Sequence, residues 1–137
     1  MQKELVQQVP SFINSVELKK KCAHGSFLHT EIMRDHVFVK NNQGKWSVSG
    51  LIDFEPSVVG SPEYDFASVG LFVAMNETHL FKTFLAGYGA DLTDKNISKR
   101  VMAYTILHRY SNLKWYMSFM PKGNSLEELS STWFSTK

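Results

Sequence analysis

LHTEIMRDHVFV occupies residues 28–39 and WSVSGLIDFEPSVVGSPEYD residues 46–65. Between them Asn41, Asn42, Gln43 and Gly44 form a cluster rich in residues that tolerate positive φ. Val37, Phe38 and Val39 lead into this turn, and Trp46, Val48, Gly50 and Ile52 leave it with the period of two expected of a strand. The pattern predicts a β-hairpin. It ends on Asp53, where a carboxylate at the close of a buried strand would be held rigidly with its oxygens toward a cleft. Ser26, Phe27 and Leu28 read as a short strand approaching His29. Imidazoles and carboxylates at His29, Glu31, Asp35, His36, Asp53 and Asp65 thus fall among short strands and tight turns, which marks a candidate site.

Upstream, Leu5, Val6, Val9, Phe12, Ile13, Val16 and Leu18 have roughly helical spacing, interrupted by Pro10. Two short helices or one kinked helix fit residues 2–21, with Lys19, Lys20 and Lys21 at the helix end and Gly25 beyond as a stop. Downstream of Pro62 the apolar residues from Tyr64 to Ala74 face nearly every side, so that helix should be largely buried. Asn76 and Glu77 open a further helix ending at Gly87 or Gly89. The longest candidate spans roughly residues 94–119, with Pro121 and Gly123 closing it. Ser125 and Glu128 have capping-box spacing for a last short helix ending near Trp133 and Phe134. The expected fold class is therefore α+β and mainly helical, a small hairpin backed by helices.

A chain of 137 residues that is 43% hydrophobic and 13% aromatic suits a single domain over residues 1–137 and argues against disorder. Its formal net charge of +2 is scattered along the chain, and the lysine run suits a helix end, so no nucleic-acid partner is expected. One cysteine, Cys22, excludes an intramolecular disulfide. Neither a membrane-length apolar run nor a signal peptide is visible, so the expectation is a cytoplasmic protein without a membrane partner. His24, His79 and His108 have no partner identifiable from spacing, and the structural reading is favoured for each.

Three segments carry a resemblance: His29-Thr30-Glu31-Ile32-Met33-Arg34-Asp35-His36, then Gly50-Leu51-Ile52-Asp53-Phe54, then Gly60-Ser61-Pro62-Glu63-Tyr64-Asp65-Phe66-Ala67. In order and spacing they resemble the C-terminal lobe of the aminoglycoside phosphotransferase and choline kinase family, which has the protein-kinase-like fold. That family's pattern is approximately H-G-D-x-x-x-x-N, a strand ending I-D-F or I-D-W, then G-D-P-x-Y-D-L-A. Motif support covers residues 24–75, and the rest agrees in helical character.

The resemblance implies an ATP- or GTP-dependent phosphotransferase acting on a small-molecule hydroxyl. Glu31 and His29 would be the catalytic-loop residues, Glu31 standing where an aspartate positions the acceptor and His29 supporting the loop. Asp53 would bridge Mg²⁺ to the nucleotide phosphates, His36 would stand where an asparagine holds metal, and Asp65 would brace the loop. Phosphoryl transfer through a loose transition state needs charge neutralisation and alignment more than strong basicity, which is why carboxylates and a metal suffice. Two residues depart from the pattern. Glu31 is longer than aspartate by one methylene, and the imidazole of His36 makes Mn²⁺ an alternative to Mg²⁺, which prefers oxygen ligands.

The family's N-terminal lobe, with its phosphate-covering loop and lysine, has no counterpart in these residues, and the chain resembles most of a C-terminal lobe. The missing lobe or a partner chain, including a second copy in a homodimer, would then cover the hairpin face. An alternative reading follows from the same departures: a catalytically silent, pseudokinase-like module that binds a small molecule or partner.

Overall fold

The computed structural model describes residues 2–18 and 25–137. Lys19 to Lys21, Cys22 and His24 lie outside the described residues, and with them the expectations placed there. The order of elements is α1 (Gln2–Ser15), β1 (Ser26–Leu28), a short 3₁₀ turn (Arg34–His36), β2 (Val37–Asn42), β3 (Lys45–Leu51), β4 (Val58–Gly60) and α2 (Glu63–Ser68). The helix of α2 continues as a wider π-helical stretch over Val69–Ala74, and α3 (Thr78–Tyr88), α4 (Ile97–Leu107), α5 (Leu113–Tyr116) and α6 (Leu126–Trp133) follow. The class is α+β, as the sequence predicts.

The hairpin forms where alternation and turn chemistry place it. Gln43 and Gly44 both take positive φ, 53° and 85°, which is the two-residue geometry that matches strand twist. The antiparallel register runs from Val37 opposite Leu51 to Asn42 opposite Lys45, with an irregularity at Phe38 and Val39. One expectation fails: β3 is not buried. Trp46 and Val48 are each 67% exposed, and Phe38, Val39 and Ile52 are exposed as well. A two-stranded ribbon needs a second layer to bury a face, and this ribbon stands off the helical core. A second pairing, β1 with β4, brings Leu28 opposite Val58 and closes the loop between the hairpin and α2.

The core lies among the helices. Phe66, Val69, Leu71 and Phe72 from α2 and its extension meet Val101 and Met102 of α4 and Leu129 and Trp133 of α6. Gly70 is required by this packing, because a Cβ there would lie 2.6 Å from the Phe134 ring. The π-helical stretch ends at Met75, whose left-handed backbone (φ 48°) lets its N–H reach the Gly70 carbonyl at 3.0 Å. Gly89 (φ 85°) ends α3 in the left-handed conformation that glycine adopts without strain. Ser125 caps α6, its Oγ accepting from the Glu128 N–H, while Glu128 Oε2 reaches back to the Asn124 N–H, one residue before the cap, rather than to that of Ser125.

Two helix boundaries differ from the sequence reading. The first segment is one helix with Pro10 inside it, the single-helix alternative, and it ends at Ser15 rather than at the lysines. Gln8 fixes it to the start of α6, accepting from the Leu126 N–H at 3.0 Å and donating to the Asn124 carbonyl. The predicted long helix over residues 94–119 is two helices, α4 and α5, joined by an irregular segment from His108 to Asn112. His108 is extended (ψ 145°), and the Asn112 side chain accepts from the Trp115 N–H to start α5. Local side-chain bonds here replace continuous helix.

Candidate functional site

The site is built from α2 outward. Asp65, in the first turn of α2, accepts two backbone hydrogen bonds from the loop after β1, from the His29 N–H at 2.8 Å and the Thr30 N–H at 2.7 Å. Both donors are buried. Thr30 has φ 69°, a conformation that is rare for a β-branched residue. It is held there from several sides: Asp65 takes its N–H, its hydroxyl donates to the Pro56 carbonyl at 3.1 Å, and His108 Nε2 lies 3.1 Å from its carbonyl. His108 is buried, with Ser68 Oγ 3.0 Å from Nε2 and the Tyr110 N–H donating to Nδ1. This network assigns the proton to Nε2. Tyr64 stacks on the ring at 4.7 Å, and burial pushes the imidazole pKa down.

His29 ties the loop to the hairpin. Its Nε2 donates to the Ile52 carbonyl at 2.7 Å, and its Nδ1 accepts from the Glu31 N–H at 3.3 Å. Phe54 packs against its ring at 4.6 Å. Both nitrogens are engaged by backbone, as suits support of the loop. At the far end of the loop, His36 Nδ1 donates to the Glu31 carbonyl at 2.7 Å, and the His36 carbonyl accepts from the Ile52 N–H. That fixes the imidazole with Nε2 3.5 Å from Asp53 Oδ2.

Asp53 stands just past β3 with φ 68°, and its side chain is 46% exposed against 15% for His36. The Glu31 carboxylate accepts from the Tyr110 hydroxyl at 2.9 Å. The backbone of Glu31 is thus tied to His36, His36 faces Asp53, and Asp65 and His29 hold the same loop. Asp35 is at the lining of a second feature, a mostly apolar cleft of about 290 Å³ bounded also by Met33, Leu71, Phe72, Met75, Trp115 and Phe119. Arg34 anchors this side by donating to the Val73 carbonyl at 2.9 Å.

A scan against family models matches residues 4–97 to the APH phosphotransferase enzyme family. The chain belongs to that family. The match covers His29, Glu31, His36, Asp53 and Asp65, and a phosphotransferase-type function follows from membership. Searches of curated proteins and of solved structures gave no significant match. In this family member, His108 and Tyr110 lie beyond the matched residues yet contact the loop that holds Glu31. Spacing alone does not reveal them, although the polar run His108-Arg109-Tyr110-Ser111-Asn112 inside an apolar stripe is the available signal.

Among the described residues no group of three or more His, Cys, Asp or Glu side chains is arranged to hold a metal by itself. No helix among them is long and apolar enough to cross a membrane. His79 is exposed on α3.

Proposed function

We propose that this phosphotransferase moves the γ-phosphoryl group of ATP or GTP to a hydroxyl of a small molecule, at the edge formed by Glu31, His36 and Asp53. The observation that carries the reading is the facing pair of His36 Nε2 and Asp53 Oδ2 at 3.5 Å, with His36 joined to Glu31 through the Glu31 carbonyl in the family-matched stretch. With Nδ1 donating to the Glu31 carbonyl, His36 turns Nε2 toward the Asp53 carboxylate, so that a cation placed between or beside them would take one nitrogen and one oxygen ligand. The donor chemistry fits a divalent ion completed by phosphates and water, as such ions are commonly held. A carboxylate suits Mg²⁺, whereas the added imidazole moves the preference toward Mn²⁺. Bound there, the metal would neutralise charge on the β- and γ-phosphates.

The chain's own residues then have distinct parts. Asp53 and His36 would hold the metal. Glu31 would accept a hydrogen bond from the acceptor hydroxyl, orient it and receive its proton. Asp65 and His29 would keep Glu31 in register with Asp53 through the loop backbone. The acceptor would lie in the cleft between Met33 and Trp115, beside the helices that follow residue 76, and that cleft is apolar and aromatic rather than densely acidic. The exposed Phe38, Trp46 and Val48 support a further lobe or partner chain over the hairpin, in a protein-kinase-like arrangement.

The test is thermal unfolding with ATP plus Mg²⁺ or Mn²⁺, comparing the chain with its Asp53→Ala variant. A nucleotide- and metal-dependent rise in Tm that Asp53→Ala removes is expected, by ordinary binding linkage. If any N-terminal lobe is present in the protein used and no such rise occurs, the phosphoryl-transfer reading fails.

A further inference from the structure

Resting on the phosphoryl-transfer reading above, we propose that Tyr110 is a positioning residue for Glu31, holding the longer glutamate arm where an acceptor hydroxyl meets it. A glutamate in place of the pattern's aspartate has one more rotatable bond to order, and an error of about 1 Å at a reacting centre can cost about a hundredfold in rate. The structure supplies what would order it. Glu31's backbone is fixed at both ends, its N–H donating to His29 Nδ1 and its carbonyl accepting from His36 Nδ1. Its carboxylate is held by the Tyr110 hydroxyl at 2.9 Å.

Tyr110 is itself anchored. Its N–H donates to His108 Nδ1 at 3.2 Å, and its carbonyl accepts from the hydroxyl of the buried Tyr116 at 2.6 Å. Because His108 Nε2 also reaches the Thr30 carbonyl, the segment from His108 to Tyr110 grips the loop twice, through the Thr30 backbone and the Glu31 side chain. A carboxylate accepts several hydrogen bonds, so one phenol on Oε1 leaves capacity for an acceptor hydroxyl. The hydrogen bond to Glu31 also pushes the Tyr110 phenol above its usual range, as expected of a donor to a carboxylate. Tyr110 lies outside the family-matched residues 4–97.

The experiment is a double-mutant cycle read as ADP release from ATP with Mg²⁺ or Mn²⁺ and water as the acceptor. Tyr110→Phe should lower kcat about tenfold or more in the Glu31 chain with little change in KM for ATP, and less than about twofold in a Glu31→Asp chain. Equal losses in both backgrounds, or none in either, would overturn the proposal. The contact is read separately by NMR on Cζ-labelled tyrosine. Tyr110, assigned through Tyr110→Phe, should ionise at higher pH in the wild type than in Glu31→Gln. No difference between those two overturns the proposal whatever the activity. A wild type that shows this difference but hydrolyses no ATP contradicts the phosphoryl-transfer reading, and the catalytic use of Tyr110 with it, while leaving the contact itself measured.

Discussion

Replacing Asp65 with asparagine perturbs the site through its foundation. In the native structure Oδ2 accepts the His29 N–H at 2.8 Å and Oδ1 the Thr30 N–H at 2.7 Å, both in buried surroundings. Asparagine keeps one acceptor and turns a donor toward the other N–H. One hydrogen bond to a charged group is lost, about 1.5–3 kcal/mol, and a buried N–H is left unpaired at about 1–3 kcal/mol. These terms overlap, so a loss of about 2–4 kcal/mol is expected. For a chain of 137 residues that corresponds to a fall in Tm of about 8–16 °C. Urea unfolding at pH 7 is the assay, with an unchanged m-value showing that the loss is one of stability. The amides of His29 and Thr30 should also exchange faster than those of α4. A variant within about 0.5 kcal/mol of wild type would refute the claim that this carboxylate holds the loop, since surface substitutions alone produce changes of that size.

Other consequences are smaller but specific. Burial lowers the His108 pKa below that of the unfolded chain, so the unfolded state binds the proton more readily; this contribution to stability is complete above the unfolded pKa, near 6.5, and is lost as pH falls below it. The urea midpoint should therefore drop between pH 7.5 and about 5.5 in the wild type by more than it does in His108→Asn. Gly70→Ala should destabilise by about 1–3 kcal/mol in thermal melts, because its Cβ would overlap the Phe134 ring and approach Phe81 at 3.3 Å. Trp46→Thr with Val48→Thr should leave Tm within about 2 °C at low protein concentration, as their side chains are largely exposed; a large loss would show that the hairpin face is covered in the isolated chain.

Much of the site's local construction was legible in the sequence, and the limits have identifiable causes. The turn at Gln43 and Gly44 and the alternation after it are short-range signals, so the hairpin and the position of Asp53 at its end could be read directly. The helix cap at Ser125 is likewise local. What spacing alone could not give is what crosses the chain; the resemblance, not spacing, put Asp65 under the loop. Asp65 meets His29 across 36 residues, and Tyr110 meets Glu31 across 79, distances over which no spacing rule operates. The break between α4 and α5 was hidden for a related reason. The apolar stripe continues across it, while the bonds that end the helix come from His108 to a loop near residue 30. The exposure of β3 was misjudged because alternation shows that a strand has two different faces, not that a layer covers one of them.

The central claim is that His36 and Asp53 form the metal side of a nucleotide-phosphate site next to Glu31. The most direct measurement is NMR line broadening on titrating Mn²⁺ with ATP, since a paramagnetic ion broadens the resonances nearest to it. Selective broadening at His36 and Asp53, spreading to Glu31 and absent in Asp53→Ala, is the predicted result. Broadening distributed over surface carboxylates such as Glu127, with His36 and Asp53 unaffected in a protein carrying any N-terminal lobe, would contradict it.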